Sequence, residues 1–136
     1  MAERSAAIRI HDFEEVDLGL SLAEARAEAE RCLQCKKPAC VGGCPVGIDI
    51  PGFVLAIAEG RFDDARERIF EANLLPAICG RVCPQEHQCE GVCVLGGKGR
   101  AIAIGALERF AADTAGRGSN PRVERAPGSG CRVAVV

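Results

Sequence analysis

The chain has no tryptophan and no tyrosine, and its aromatic residues are five phenylalanines among 136 positions. A core without large anchors has to be filled by Ala, Leu, Ile and Val, so part of the stability is expected to come from bound metal. Long apolar runs are missing too. Glu3, Arg4 and Arg9 interrupt the apolar residues of the N-terminus, so the continuous apolar region of a signal peptide is not expected there, and no stretch approaches transmembrane length. Neither sign of charge accumulates, since the formal net charge is -2 with no long acidic or basic run. Nucleic acid and membranes are therefore not expected partners. The length accommodates one domain, not a catalytic domain beside a nucleotide-binding one, and the expected location is cytoplasmic.

Cysteine, by contrast, is abundant. Eight of the nine fall into two runs, Cys32-x2-Cys35-x4-Cys40-x3-Cys44 and Cys79-x3-Cys83-x5-Cys89-x3-Cys93, with Pro45 and Pro84 directly after Cys44 and Cys83. In a reducing cytosol closely spaced thiols serve as metal ligands more often than as disulfides, and an odd total fits a disulfide framework poorly. Either run alone is compatible with zinc. The crowding of Cys32, Cys35 and Cys40 within nine residues, followed at once by Cys44-Pro45, favours 4Fe-4S clusters, whose bacterial ferredoxin form is closed by Cys-Pro with the fourth Cys crossing to the other cluster. Ligand counting makes two quartets, with Cys79 the eighth thiolate. His87 lies between Cys83 and Cys89 but is not needed as a ligand, and His11 and Cys131 carry no assigned role. Arg31, Lys36, Lys37, Arg81, Lys98 and Arg100 lie near the cysteines in sequence, where positive charge would raise a cluster's potential.

The rest of the chain reads as helices around these runs. Ser21 and Glu24 form a capping-box pattern before Leu22, Ala25, Ala29 and Leu33, predicting a helix over 22–32 that delivers Cys32 at its end. The Cys/Gly/Pro segment 35–47 is an irregular ligand loop. Asp49 or Ile50 caps a helix with Pro51 in its first turn, Phe53, Val54 and Ile57 facing inward and Gly60 at its end. A second helix follows, with Phe62, Ala65, Ile69 and Ala72 on one face and Asn73 at its end. Short helical turns are expected over 76–93, and Gly96-Gly97-Lys98-Gly99 is a turn that lacks dinucleotide-loop spacing. A last helix over 104–115 packs Leu107, Phe110, Ala111 and Thr114. The division is a 1–20 arm, a 21–115 helical domain, a 116–130 linker rich in Gly, Ser, Pro and Arg, and a β-forming run over 131–136.

Arg31-Cys32-Leu33-Gln34-Cys35, Gly43-Cys44-Pro45-Val46, Ile78-Cys79-Gly80-Arg81-Val82-Cys83-Pro84-Gln85, Cys89-Glu90-Gly91-Val92-Cys93 and Ile104-Gly105-Ala106-Leu107-Glu108-Arg109-Phe110 stand in an order that resembles the N-terminal domain of glutamate synthase small (beta) subunits. They are similar to the first domain of dihydropyrimidine dehydrogenase as well. The resemblance spans roughly residues 21–136. It implies an all-α, alpha-helical ferredoxin-like domain with two 4Fe-4S clusters, followed by FAD- and NADPH-binding domains of which 131–136 is the first strand. It assigns Cys32, Cys35, Cys40 and Cys93 to one cluster and Cys44, Cys83 and Cys89 to the other. The eighth ligand in the family is a side-chain oxygen, which matches Glu108 and leaves Cys79 spare. The implied role is a relay of single electrons from FAD to the large (alpha) subunit, with no catalytic residue in this chain. The rival readings are a zinc-stabilised interaction module and the same relay in another NADPH- or ferredoxin-linked oxidoreductase.

Overall fold

The computed structural model describes residues 3–114 together with Pro127, Gly128 and Gly130. The 131–136 strand with Cys131, and nearly all of the 116–130 linker, lie outside the described residues. Among the described residues the fold is helical, with a single isolated bridge between Glu3 and Asp17 and no sheet. Its helices are α1 (Ala6–Arg9), α2 (Leu22–Glu30), α3 (Ala39–Gly43), α4 (Ile50–Ala58), α5 (Phe62–Phe70), α6 (Pro76–Val82) and α7 (Ile104–Thr114), with 3-10 turns at Gln85–His87 and Gly96–Lys98.

The capping signals act as the residue types demand. Ser21 Oγ accepts from the Glu24 N-H while Glu24 accepts from the Ser21 N-H, a reciprocal box that starts α2. Asp49 accepts from the Gly52 N-H at 3.1 Å and Pro51 occupies the first turn of α4. The chain then reverses at Gly60, whose φ of 78° suits glycine.

The core is one cluster of small and medium side chains in which Phe53, Val54, Ile57, Ile69 and Leu107 are fully buried. α4 packs on α5 and on α2, and α7 lies against α6 and α5. Phe62 and Phe110 meet edge to face at 5.4 Å, tying α5 to α7. Some periodic residues behave otherwise than the pattern predicts. Leu22 and Leu33 are exposed at either end of α2, and Ala72 lies beyond the end of α5 on the surface. Helix α2 therefore buries a narrow face of Ala25 and Ala29 against α4, with Glu28 beside them. The 35–47 loop contains a helical turn, α3, that periodicity does not reveal because its Gly-rich sequence has no apolar repeat.

The N-terminal segment folds back on the bundle. The Arg109 guanidinium, buried in α7, donates to the Asp17 carbonyl at 2.8 Å and pairs with Glu15 at 3.1 Å. Arg81 of α6 bridges Glu15 and Asp113 at 2.7 Å each. These carboxylates hold the Arg81 guanidinium charged, Asp113 most strongly. One ionic seam thus ties the arm, α6 and α7 together.

Candidate metal centres

Cys32 follows the last turn of α2, its N-H donating to the Ala29 carbonyl. The turn from Cys32 to Cys35 is closed by Gln34 in a left-handed conformation, φ 48°. Its side chain donates to the Pro51 carbonyl on α4, and its backbone N-H reaches the Cys32 sulfur. Cys40 lies in α3, and Cys93 arrives from the second run. These four cysteines line one apolar recess with Val54 and Ile104. Burial pushes the Cys32 and Cys40 thiols up, and the neighbouring cysteines push them further. Thiolates crowded in this way favour a positively charged occupant.

A carboxylate knot lies at the end of α2. Buried Glu28 accepts from Arg31 at 2.5 Å, Arg100 at 2.6 Å and the Ala103 N-H at 2.9 Å. It thereby ties the end of α2 to the segment that follows Cys93. Arg31 and Arg100 are thus already paired, as is Arg81, so three of the six cations expected near the thiols are engaged by carboxylates of the protein itself.

The second group gathers where the runs touch. A Cβ on Gly43 would lie 2.6 Å from Val92 Cγ2 and 2.9 Å from the Gln88 carbonyl oxygen, so the absence of a side chain there brings Cys44 close to Cys89. Cys89 is buried and its thiol is pushed up to about 12, first by burial and then by the charges of Glu90 and Cys44, with backbone N-H groups offsetting only part of this. The Cys83 thiol is raised by burial and by Cys79, Glu108 and Cys44 around it.

Glu108 is 6% exposed, although its place in a charged stretch of α7 is also what a solvated residue would have. Its hydrogen-bond donor among the described residues is the amide of Asn73, with Nδ2 to Oε1 at 2.7 Å. Burial raises its carboxyl and the Asn73 bond only partly offsets that. A buried carboxylate with one neutral donor lacks the cation such a group ordinarily has. Asn73 Oδ1 in turn accepts from the Cys79 sulfur at 3.6 Å and from the Leu75 N-H at 2.9 Å. Sequence reasoning treated Asn73 as a helix end and missed this role, because no local pattern marks a polar residue that will be buried by a helix 35 positions later.

His87 is exposed and lies 3.9 Å from the Glu86 carboxylate. Among the described residues no three His, Cys, Asp or Glu side chains close on a point fit for a single ion.

Residues 9–119 match the family described as dihydropyrimidine dehydrogenase domain II, 4Fe-4S cluster. The chain belongs to this iron-sulfur family. It is 39% identical over 130 residues to the glutamate synthase [NADPH] small chain of Escherichia coli, covering 95% of this chain and 28% of the relative. To the Azospirillum brasilense glutamate synthase [NADPH] small chain it is 41% identical over 114 residues, 83% of this chain and 24% of that one. Escherichia coli NAD-dependent dihydropyrimidine dehydrogenase subunit PreT is 42% identical over 86 residues, 63% of this chain and 21% of its own length. The chain spans about a quarter of the curated relatives it matches. Soft thiolates, and a buried carboxylate short of a cation, are donors suited to the 4Fe-4S chemistry of this family. No helix among the described residues is long and apolar enough to cross a membrane.

Glu108 yields a pH prediction for iron-free protein. Its folded-state pKa is raised above 4.5 by burial, so the folded state binds the extra proton and stability falls as pH rises from 4.5 through the raised value. Glu108→Gln keeps the acceptor for Asn73 and removes the titration. Urea denaturation should find the two proteins closest in stability below about pH 4.5, with the variant gaining on wild type as pH rises. A difference that shrinks with pH contradicts the assignment.

Proposed function

We propose that this chain holds two 4Fe-4S clusters and forms the electron-transfer segment of an NADPH-dependent oxidoreductase of the glutamate synthase type. Cys32, Cys35, Cys40 and Cys93 hold the first cluster; Cys44, Cys83, Cys89 and Glu108 hold the second. When bound, such clusters accept and release one electron at a time, which is what a flavin reduced by a hydride donor requires of its acceptor. The flavin and nicotinamide sites belong to FAD- and NADPH-binding domains of the same polypeptide, and the acceptor to a large subunit or another redox partner. The location is cytoplasmic. In the division of the chain, 21–115 is the iron-sulfur domain, 1–20 an arm, 116–130 a linker and 131–136 the start of the flavin domain.

The observation that carries this reading is the gathering of Cys93 with Cys32, Cys35 and Cys40 around one recess. A sequential arrangement would have kept Cys44 there. The chain's own contribution is to line the sulfurs with apolar Val54 and Ile104, to direct the Gln34 N-H at Cys32, and to tie the end of α2 to the segment after Cys93 through Glu28. Backbone donors and burial of this kind set a cluster's potential.

Anaerobic purification with iron and sulfide analysis tests the proposal. A brown protein with roughly eight irons and eight sulfides per chain, bleached by dithionite, is expected. A colourless protein with stoichiometric zinc would overturn it.

A further inference from the structure

Two groups compete for the last position at the second centre, Cys79 and Glu108, and one side chain touches both. Asn73 is 7% exposed. Its Nδ2 donates to Glu108 Oε1 at 2.7 Å, and its Oδ1 accepts from Cys79 Sγ at 3.6 Å and from the Leu75 N-H at 2.9 Å. The Leu75 bond fixes the amide against the turn that opens α6. Donor and acceptor ends cannot then be exchanged, because the Oδ1 end is committed to a backbone N-H. The carboxylate of α7 therefore meets a donor and the sulfur of α6 meets an acceptor.

We propose that Asn73 is a positioning residue that selects Glu108 over Cys79 as the eighth ligand. By binding one carboxylate oxygen it fixes the rotamer of Glu108 and leaves the second oxygen for iron. By accepting from the Cys79 sulfur it keeps that thiol engaged with the protein. The inference rests on the two-cluster reading above. Without Asn73 the sulfur takes the vacated position: Cys79 gives its S-H proton to solvent, an iron-sulfur bond forms, and the iron-oxygen bond to Glu108 breaks. No electron is transferred in the exchange.

The test uses the whole chain, anaerobically loaded, with Asn73→Leu, Cys79→Ser and their combination. Asn73→Ala is the second variant should Leu impair folding, since it too removes both the donor to Glu108 and the acceptor for Cys79. Mössbauer and EPR spectra of wild type should contain one iron with non-thiolate ligation, and Cys79→Ser should leave them unchanged. In either Asn73 variant that signature should disappear in favour of an all-thiolate cluster. Adding Cys79→Ser should then cut iron from roughly eight to roughly four per chain.

A purely structural Asn73 would lower the melting temperature without creating this dependence on Cys79, and that result overturns the proposal. An all-thiolate second cluster in wild type overturns it too, while leaving the relay intact. Wild type that holds no iron overturns both.

Discussion

Cys93→Ser should cost the protein the cluster whose other three thiols lie in the first cysteine run. Cys93 shares a recess with Cys32, Cys35 and Cys40, although three cysteines of its own run lie nearer in sequence. Serine offers a harder oxygen with a far higher pKa and is a much poorer ligand for cluster iron than a thiolate. Iron should fall from roughly eight to roughly four per chain. Stability should fall by several kcal/mol, on the order of what a structural metal site contributes. Double substitutions identify the partner. Cys93→Ser with Cys35→Ser should lose no more iron than Cys93→Ser alone, because both act on one cluster. Cys93→Ser with Cys89→Ser should leave almost none. Two quartets formed in sequence order demand the reverse, so iron counting on the four proteins separates the arrangements.

Gly80→Val should destroy the second centre and spare the first. A Cβ at Gly80 would lie 2.7 Å from the Arg109 nitrogen, 2.8 Å from its Cβ and 2.9 Å from its Cα. Two of these are backbone atoms of α7, which cannot turn aside as a long side chain can. Relief comes only by moving α6 away from α7, and that motion separates Cys79 and Cys83 from Glu108. Overpacking of this kind costs about 1–3 kcal/mol, and a β-branched residue against backbone belongs at the upper end. Loss of roughly half the iron should accompany it. Gly42→Ala is the control, since a Cβ there meets nothing within 4 Å, and a change below about 1 kcal/mol is expected at such an open helical glycine. Urea denaturation and iron analysis read both quantities. Unchanged iron in Gly80→Val would mean that the α6–α7 contact does not set the second site.

Much of this fold is legible locally. Ser21 with Glu24, Asp49 with Pro51, and Gly60 mark helix ends because capping hydrogen bonds and backbone freedom depend on residues within one turn. Phe53, Val54, Ile57 and Leu107 are buried where their periodicity put them. Leu22, Leu33 and Ala72 are not, since an apolar repeat states which residues share a face and not how far the neighbouring helix extends. Glu28 gave no signal either. Its burial depends on Arg100 and Ala103, which come from the far side of the cysteine runs.

The amino-acid order by itself determined that this chain carries eight thiols in two compact runs, and the helix signals determined what separates them. Spacing constrains only residues close enough for a short chain segment to bring together. The tertiary structure alone decided that Cys93 lines the recess of the first run, that Gly43 brings Cys44 to Cys89, and that Glu108 is buried beside Cys83. Each of those meetings depends on helices packing to backbone contact, which is a property of paired surfaces and is written in neither segment alone.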